Sequence, residues 1–293
     1  MTDPILQTIR PQSWCMAVSG TIDAHVHLMP PRLMAAIRES LSQEAGWTFD
    51  HPTEREAMEA HLRAAGIERY VALPYAHKPD MAAELNDWVL AEAEASEMAI
   101  PFATVHGDDD VERVVRGAFE AGARGLKFQC PVQECGPADP RLDPAFELAA
   151  EYDRPIVFHA GTAPMFESSQ HVGADQFEEF VESYPEVRAC AAHMGTFEAE
   201  TFMDFARDHE SVFLDTTMAL SPRSADVLGF DADEIPDEAL VELAESVMFG
   251  TDFPNVPYPY EEERQGLMER ELPADTYEDV FRRTAERFLG ERA

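Results

Sequence analysis

Histidines, aspartates and one lysine recur in this chain where short apolar runs end. Asp23-Ala24-His25-Val26-His27 ends the first run. Lys127 lies in Gly125-Leu126-Lys127-Phe128-Gln129, His159 in Val157-Phe158-His159-Ala160-Gly161, and His193 in Ala192-His193-Met194-Gly195. Asp215 ends the seventh run, and Asp252 follows the eighth in Gly250-Thr251-Asp252-Phe253-Pro254. Residues two apart on a strand point the same way, so His25 and His27 can present two imidazoles to one ion. His159 and Asp252 complete a nitrogen- and oxygen-rich set with room for water, the pattern of a catalytic rather than a structural site. Such an ion lowers the pKa of its water toward neutrality, and Asp252 could accept the proton. A lone strand-end histidine is commonly a structural hydrogen-bonding residue. Burying this many imidazoles without partners would be costly, and that cost argues for a metal.

Eight short, β-branched runs carry these residues: 20–26, 67–73, 100–105, 125–128, 155–158, 187–192, 211–214 and 247–249. They are mostly continuous rather than alternating, as expected for strands buried on both faces of a parallel sheet. Helical patterns lie between them. Thr53 to Glu56 reads as a capping box, followed by Met58, His61, Leu62 and Ala65 at helical spacing and closed by Gly66. Asp108 to Asp110 open another helix, with Val111, Val114, Val115, Ala118 and Phe119 on one face. Strands alternating with helices predict an α/β protein, and eight units predict a single (β/α)₈ TIM barrel over residues 19–293, after an N-terminal extension of residues 1–18. In such a barrel every strand end faces one rim, so the polar residues converge. Residues 28–56 exceed a simple loop and hold their own helical pattern at 32–41. An insertion after the first strand would lie on that rim as a lid.

The same motifs resemble the amidohydrolase superfamily, specifically its amidohydrolase 2 branch, over about residues 20 to 290. The resemblance implies that His25, His27, His159 and Asp252 bind zinc or a similar divalent ion, and that His193 polarises substrate or water. It also implies a metal-dependent hydrolase of a C–N, ester or lactone bond, with one ion expected and two if Lys127 is carbamylated. The branch also contains hydratases and non-oxidative decarboxylases such as aminocarboxymuconate-semialdehyde decarboxylase, so decarboxylation or hydration of a small acid is the alternative. A catalytically silent binding barrel is a third reading, opposed by the intact ligand set. TatD-like nucleases of the superfamily place a glutamate where this chain has Lys127, which argues against a nuclease.

Catalysis is therefore expected from His193, Asp252 and Lys127. Substrate contacts are expected from Lys127, Arg223, His77 and Trp47, because lysine or arginine can clamp a carboxylate. Asp23 is expected to support the His-x-His strand by hydrogen bonding. Gly161 and Gly195 are expected to keep the rim open, and His61 to be structural.

The 293 residues carry 57 acidic against 22 basic side chains, a net charge of −35. Only Lys78 and Lys127 are lysines. Such a surface repels nucleic acid, leaving a small molecule as the expected partner and a homo-oligomer compatible with the pattern. Acids spread over helix faces, with scarce lysine and an ordinary core, fit a halophilic protein working where salt screens self-repulsion. No run is long enough to span a bilayer and no export signal is visible, so a cytoplasmic location without disulfides is expected.

Overall fold

Each apolar run supplies one strand, shorter than the run itself. In the computed structural model, which describes residues 18–166 and 169–291, these are β1 (Ile22–Val26), β2 (Arg69–Ala72), β3 (Ala99–Pro101), β4 (Leu126–Phe128), β5 (Ile156–Phe158), β6 (Ala189–Ala191), β7 (Val212–Asp215) and β8 (Val247–Met248). The expected N-terminal extension, apart from Val18, lies outside the described residues, as does Cys15. All pairings are parallel, in the orders β1-β2-β3 and β4-β5-β6-β7-β8. Irregular backbone bonds join the two groups. Ala103 donates to the Gly125 carbonyl at 2.9 Å and accepts from the Lys127 N–H at 2.8 Å. On the other side Ala24 donates to the Phe249 carbonyl, Asp252 to that of His25 and His27 to that of Phe253, at 2.7–2.9 Å. The barrel is thus closed as the alternation of elements requires.

An inner cluster that includes Val71, Phe102, Val157, Phe213 and Met248 fills the barrel. Phe288 of the closing helix Thr284–Phe288 plugs it, with ring centroids 5.3 Å from Phe213 and 6.3 Å from Phe102. That helix end is tied to residues preceding β4 and β6, since Arg124 donates to the Leu289 carbonyl and Arg188 to that of Arg287. Among the described residues the N-terminal mouth is therefore plugged, and the polar strand ends lie at the opposite rim.

Helices α1 (Pro31–Ala45), α2 (Arg55–Ala64), α3 (Ala82–Glu94), α4 (Val111–Glu120), α5 (Cys130–Gln133), α6 (Asp143–Glu151), α7 (Ala174–Ser183) and α8 (Ala199–Asp208) follow in turn. Helix α4 is as read: Val111, Val114, Val115, Ala118 and Phe119 are buried, and the Asp110 side chain accepts from the Arg113 N–H. The capping box is not formed. Helix α2 starts at Arg55 without a side-chain cap, and Arg55 instead pairs with Glu92 at 2.8 Å and Glu59 at 3.3 Å. The insertion holds α1, and its His51 donates Nε2–H to the Tyr258 carbonyl at 2.8 Å, fastening it to the loop after β8. Among the described residues no helix is long and apolar enough to cross a membrane.

Candidate metal centre

Alternation on β1 would put Asp23, His25 and His27 on one face. The structure breaks that register: β1 advances three residues from Asp23 to Val26 while β2 advances two, from Tyr70 to Ala72. This bulge lets Ile22 and Ala24 join the inner cluster and still turns His25 and His27 to the rim, whereas Asp23 faces Tyr260. Asp23 accepts from the His25 backbone N–H at 3.1 Å, the Thr251 hydroxyl at 2.7 Å and the Tyr260 hydroxyl at 3.0 Å. The Thr251 hydroxyl oxygen accepts in turn from the Phe253 N–H at 3.2 Å. Asp23 thus ties the His-x-His strand to the loop carrying Asp252. Burial pushes its carboxyl up to about 7 against these three hydrogen bonds.

Both β1 histidines are oriented through Nδ1. His25 Nδ1 lies 2.9 Å from Asp215 Oδ2, and His27 Nδ1 lies 2.8 Å from the Leu73 carbonyl. A carbonyl only accepts, so His27 carries its proton on Nδ1 and its Nε2 lone pair is free; the Asp215 carboxylate sets His25 the same way. The two Nε2 atoms converge on Asp252 Oδ1, at 3.0 Å from His27 and 3.4 Å from His25. Ligand atoms of His25, His27 and Asp252 all lie within 4.8 Å of one another. Burial pushes His25 down to about 3, helped by the Lys127 ammonium, and it is neutral as a ligand must be. Burial opposes charge on Asp252, yet its neighbours His27 and His25 hold that carboxyl well below the usual range.

His159 follows β5 at once and its ring centroid lies 4.8 Å from that of His193. Both His159 ring nitrogens are buried and find no hydrogen-bond partner. An unsatisfied buried polar group costs about 1–3 kcal/mol, so two on one ring indicate a ligand position. Burial, then His193 and Lys127, pushes its pKa well down. The donor set fits a divalent ion held by His25, His27 and Asp252; His159, expected as a fourth ligand, falls outside that 4.8 Å group and lines the same end of the cavity beside His193.

His193 sits in a tight turn in which it and Met194 have φ of 58° and 54°. Asp252 has φ of 61°. Side chains seldom adopt this left-handed region, and here it swings both residues back over the barrel mouth. Asp215, the last residue of β7, holds the turn: Oδ1 accepts from the His193 N–H at 2.9 Å and the Thr217 N–H at 3.2 Å. Asp215 thus serves both His25 and His193. It was visible as a strand-end carboxylate, but spacing carried no sign of its partners. The rim glycines do not leave the edge open. A Cβ on Gly161 would meet the Gly195 carbonyl oxygen at 2.3 Å, so they allow the loops after β5 and β6 to touch. One carboxylate fastens that contact. Glu198 accepts from the Thr162 N–H and hydroxyl through Oε2, and from the Ala174 N–H through Oε1, at 3.0–3.1 Å.

Against these side chains lies a cavity of about 90 Å³. Its wall is apolar at Leu41, Trp47, Val132, Met165, Phe166 and Met218. His27, His159, His193 and Asp252 form its polar end, with neutral Tyr75, Gln129 and Asn255 elsewhere. Trp47 is therefore where it was expected, on the lid side. Three other expected contacts are not. Lys127 is fully buried and does not line the cavity, with Nζ 3.5 Å from His25 Nε2. Arg223 pairs with Asp226 at 3.4 Å, one helical turn on, and His77 is exposed on a surface turn; neither lines the cavity. No lysine or arginine does, among the described residues. His61 stacks on Phe253 at 5.2 Å, a structural role.

Solved structures share this architecture. An uncharacterised TIM-barrel protein from Bordetella bronchiseptica is 19% identical, with a TM-score of 0.71 over 92% of this chain and 98% of that one. A 5-carboxyvanillate decarboxylase from Novosphingobium aromaticivorans, solved with bound manganese, is 16% identical, with a TM-score of 0.61 over 93% and 97%. A probable 2-pyrone-4,6-dicarboxylic acid hydrolase from Acinetobacter baumannii is 12% identical, with a TM-score of 0.62 over 92% and 99%. No curated protein matches the sequence. The sequence profile described as amidohydrolase matches residues 22–290, nearly the whole chain, so the protein belongs to the amidohydrolase family of enzymes.

Proposed function

We propose that the protein is a metal-dependent hydrolase that cleaves a C–N, ester or lactone bond in a small molecule with an uncharged, apolar body. The observation that carries this reading is the convergence of His25, His27 and Asp252, with the unpartnered His159 nearby, next to a cavity that no cationic side chain lines. Three imidazoles and a carboxylate suit zinc. A divalent ion bound there supplies Lewis acidity, polarising a carbonyl and acidifying water.

The chain's own residues do the rest. His193 Nδ1 lies 3.3 Å from the Thr217 carbonyl, which can only accept, so Nδ1 carries the proton and Nε2 is the basic atom. Burial lowers the His193 pKa against the pull of Asp252 and Asp215, so the ring starts neutral. Its Nε2 takes a proton from the attacking water and returns it to the leaving group. The aromatic and thioether wall excludes bulk water and holds the substrate's apolar part. Lys127 offsets the charges of Asp215 and Asp252 from below.

Decarboxylation of a small aromatic acid is the second reading, because the cavity wall offers Trp47, Tyr75 and Phe166 to a ring and a decarboxylase of such an acid shares the fold. Elemental analysis of protein purified without chelator, with a turnover screen of esters, lactones, amides and aromatic acids, is the test. One divalent ion per chain and chelator-sensitive hydrolysis are expected. Metal-free protein whose turnover survives chelators would overturn the proposal, and chelator-sensitive release of carbon dioxide alone would replace it with the second reading.

A further inference from the structure

Asn255 lies three residues beyond Asp252, and its backbone N–H donates to the Asp252 carbonyl at 2.9 Å. It therefore rides on the same turn as the ligand carboxylate. It lines the cavity although only 2% exposed. Its side-chain Oδ1 accepts from Arg38 Nε at 3.4 Å. Arg38 comes from α1 of the insertion, and its other nitrogens donate to the carbonyls of His51 at 2.8 Å and Pro254 at 2.6 Å. Its guanidinium lies 5.3 Å from the Phe49 ring centroid. In a chain with 57 acidic residues, this half-buried arginine has no carboxylate partner among the described residues. The donors it uses go to two backbone carbonyls and one amide.

That choice of partners fixes a polarity. Guanidinium nitrogens only donate, so the Asn255 amide must keep its oxygen toward Arg38 and turn its NH₂ group away. Asn255 Nδ2 finds no acceptor among the described residues. Tyr75, Thr196 and Gln129 also line the cavity, but a hydroxyl can donate or accept and an unheld amide can reverse. Asn255 is the neutral group on that wall whose role as a donor is set by its surroundings.

We infer that Asn255 is a specificity-determining residue that donates an Nδ2–H bond to an acceptor oxygen on the substrate's body, and that Arg38 is the positioning residue that holds it so. The oxygen is an ether, hydroxyl or carbonyl separate from the reacting group. A substrate with a methylene at that point leaves the donor unpaired and is rejected, as expected of a site built around a hydrogen bond. The assignment rests on the cavity being the metal-dependent active site.

Benzhydroxamic acids are the probes, because the hydroxamate chelates a metal and leaves the ring in the cavity. Calorimetry on zinc-loaded protein compares methoxy-substituted probes with their ethyl isosteres at the meta and para positions. In the wild type the better methoxy compound should bind about five- to tenfold tighter than its isostere, the worth of one hydrogen bond. Asn255→Ala should abolish that preference while the ethyl compound binds as before. Arg38→Met should shrink it, because the amide is then free to reverse. Zinc content and melting temperature of each variant separate this from a folding defect. Equal binding of the two compounds to the wild type, or a preference that survives in Asn255→Ala, would overturn the inference. Failure of every hydroxamate to bind would instead overturn the active-site reading, and the inference with it.

Discussion

Replacing Asp215 by asparagine isolates what a single buried oxygen does for the proposed metal centre. The wild-type carboxylate accepts from His25 Nδ1 at 2.9 Å through Oδ2, and from the His193 and Thr217 N–H groups at 2.9 and 3.2 Å through Oδ1. Asparagine keeps one oxygen. The two backbone donors cannot change sign, so they retain it, and the new NH₂ group faces His25. His25 must then either lose its partner or move its proton from Nδ1 to Nε2, the atom that faces Asp252 and would bind the ion. Loss of such an outer carboxylate typically weakens metal binding about 10- to 100-fold, or about 1.4–2.7 kcal/mol. Competition against a chromophoric zinc chelator measures it directly, without need of a substrate. The metal-free variant should melt near the wild type, because both backbone donors remain satisfied. An affinity within about twofold of the wild type, well short of that range, would refute the reasoning that Asp215 sets the His25 tautomer.

Other outcomes are as specific. His193→Asn should retain the ion but lower turnover by about 10²–10⁴, the usual worth of a general acid–base, measured by steady-state kinetics beside metal content; unchanged turnover would remove His193 from proton transfer. Lys127→Arg should act on stability rather than on KM, since Lys127 is 0% exposed and the larger head overpacks its site by about 1–3 kcal/mol. A raised KM with an unchanged melting temperature would return Lys127 to the substrate. At a net charge of −35, melting temperature should fall steeply as KCl is lowered from 1 M to 0.1 M and the Debye length grows from about 3 to about 10 Å. A flat profile would refute adaptation to high salt.

The fold was legible, and the polar residues it gathers at the rim stood out, for one reason. Parallel strands impose continuous apolar runs, and a polar residue ending such a run has only the rim to occupy. His25, His27, His159, His193 and Asp252 announced themselves by interrupting hydrophobicity. The cavity wall had no such signal. Met165, Phe166, Met218 and Leu41 are apolar residues that no motif singles out, and loop paths and the inserted α1 bring them to the site. Those paths turn on left-handed residues such as Met218, with φ of 58°, whose identity does not betray them. Lys127 and Arg223 were expected at the substrate for the opposite reason. Their charge suggested a substrate contact, but Lys127 is buried beside His25 Nε2 without lining the cavity, and Arg223 is spent on a neighbour one turn away. The capping box failed because Thr53 and Glu56 match in type while the chain starts its helix at Arg55.

The Glu198 clamp divides the labour of the rim between separate stretches of chain. One side chain holds Thr162 and Ala174, the two stems of the loop that brings Met165 and Phe166 over the cavity. His159 lies before the first stem, on the strand side of that anchorage. The span between the stems is therefore free to change in sequence, and with it the shape presented to a substrate, while the imidazole beneath keeps its place. Selection acting on substrate range and selection acting on metal retention fall on different residues, and the boundary between them is a single carboxylate.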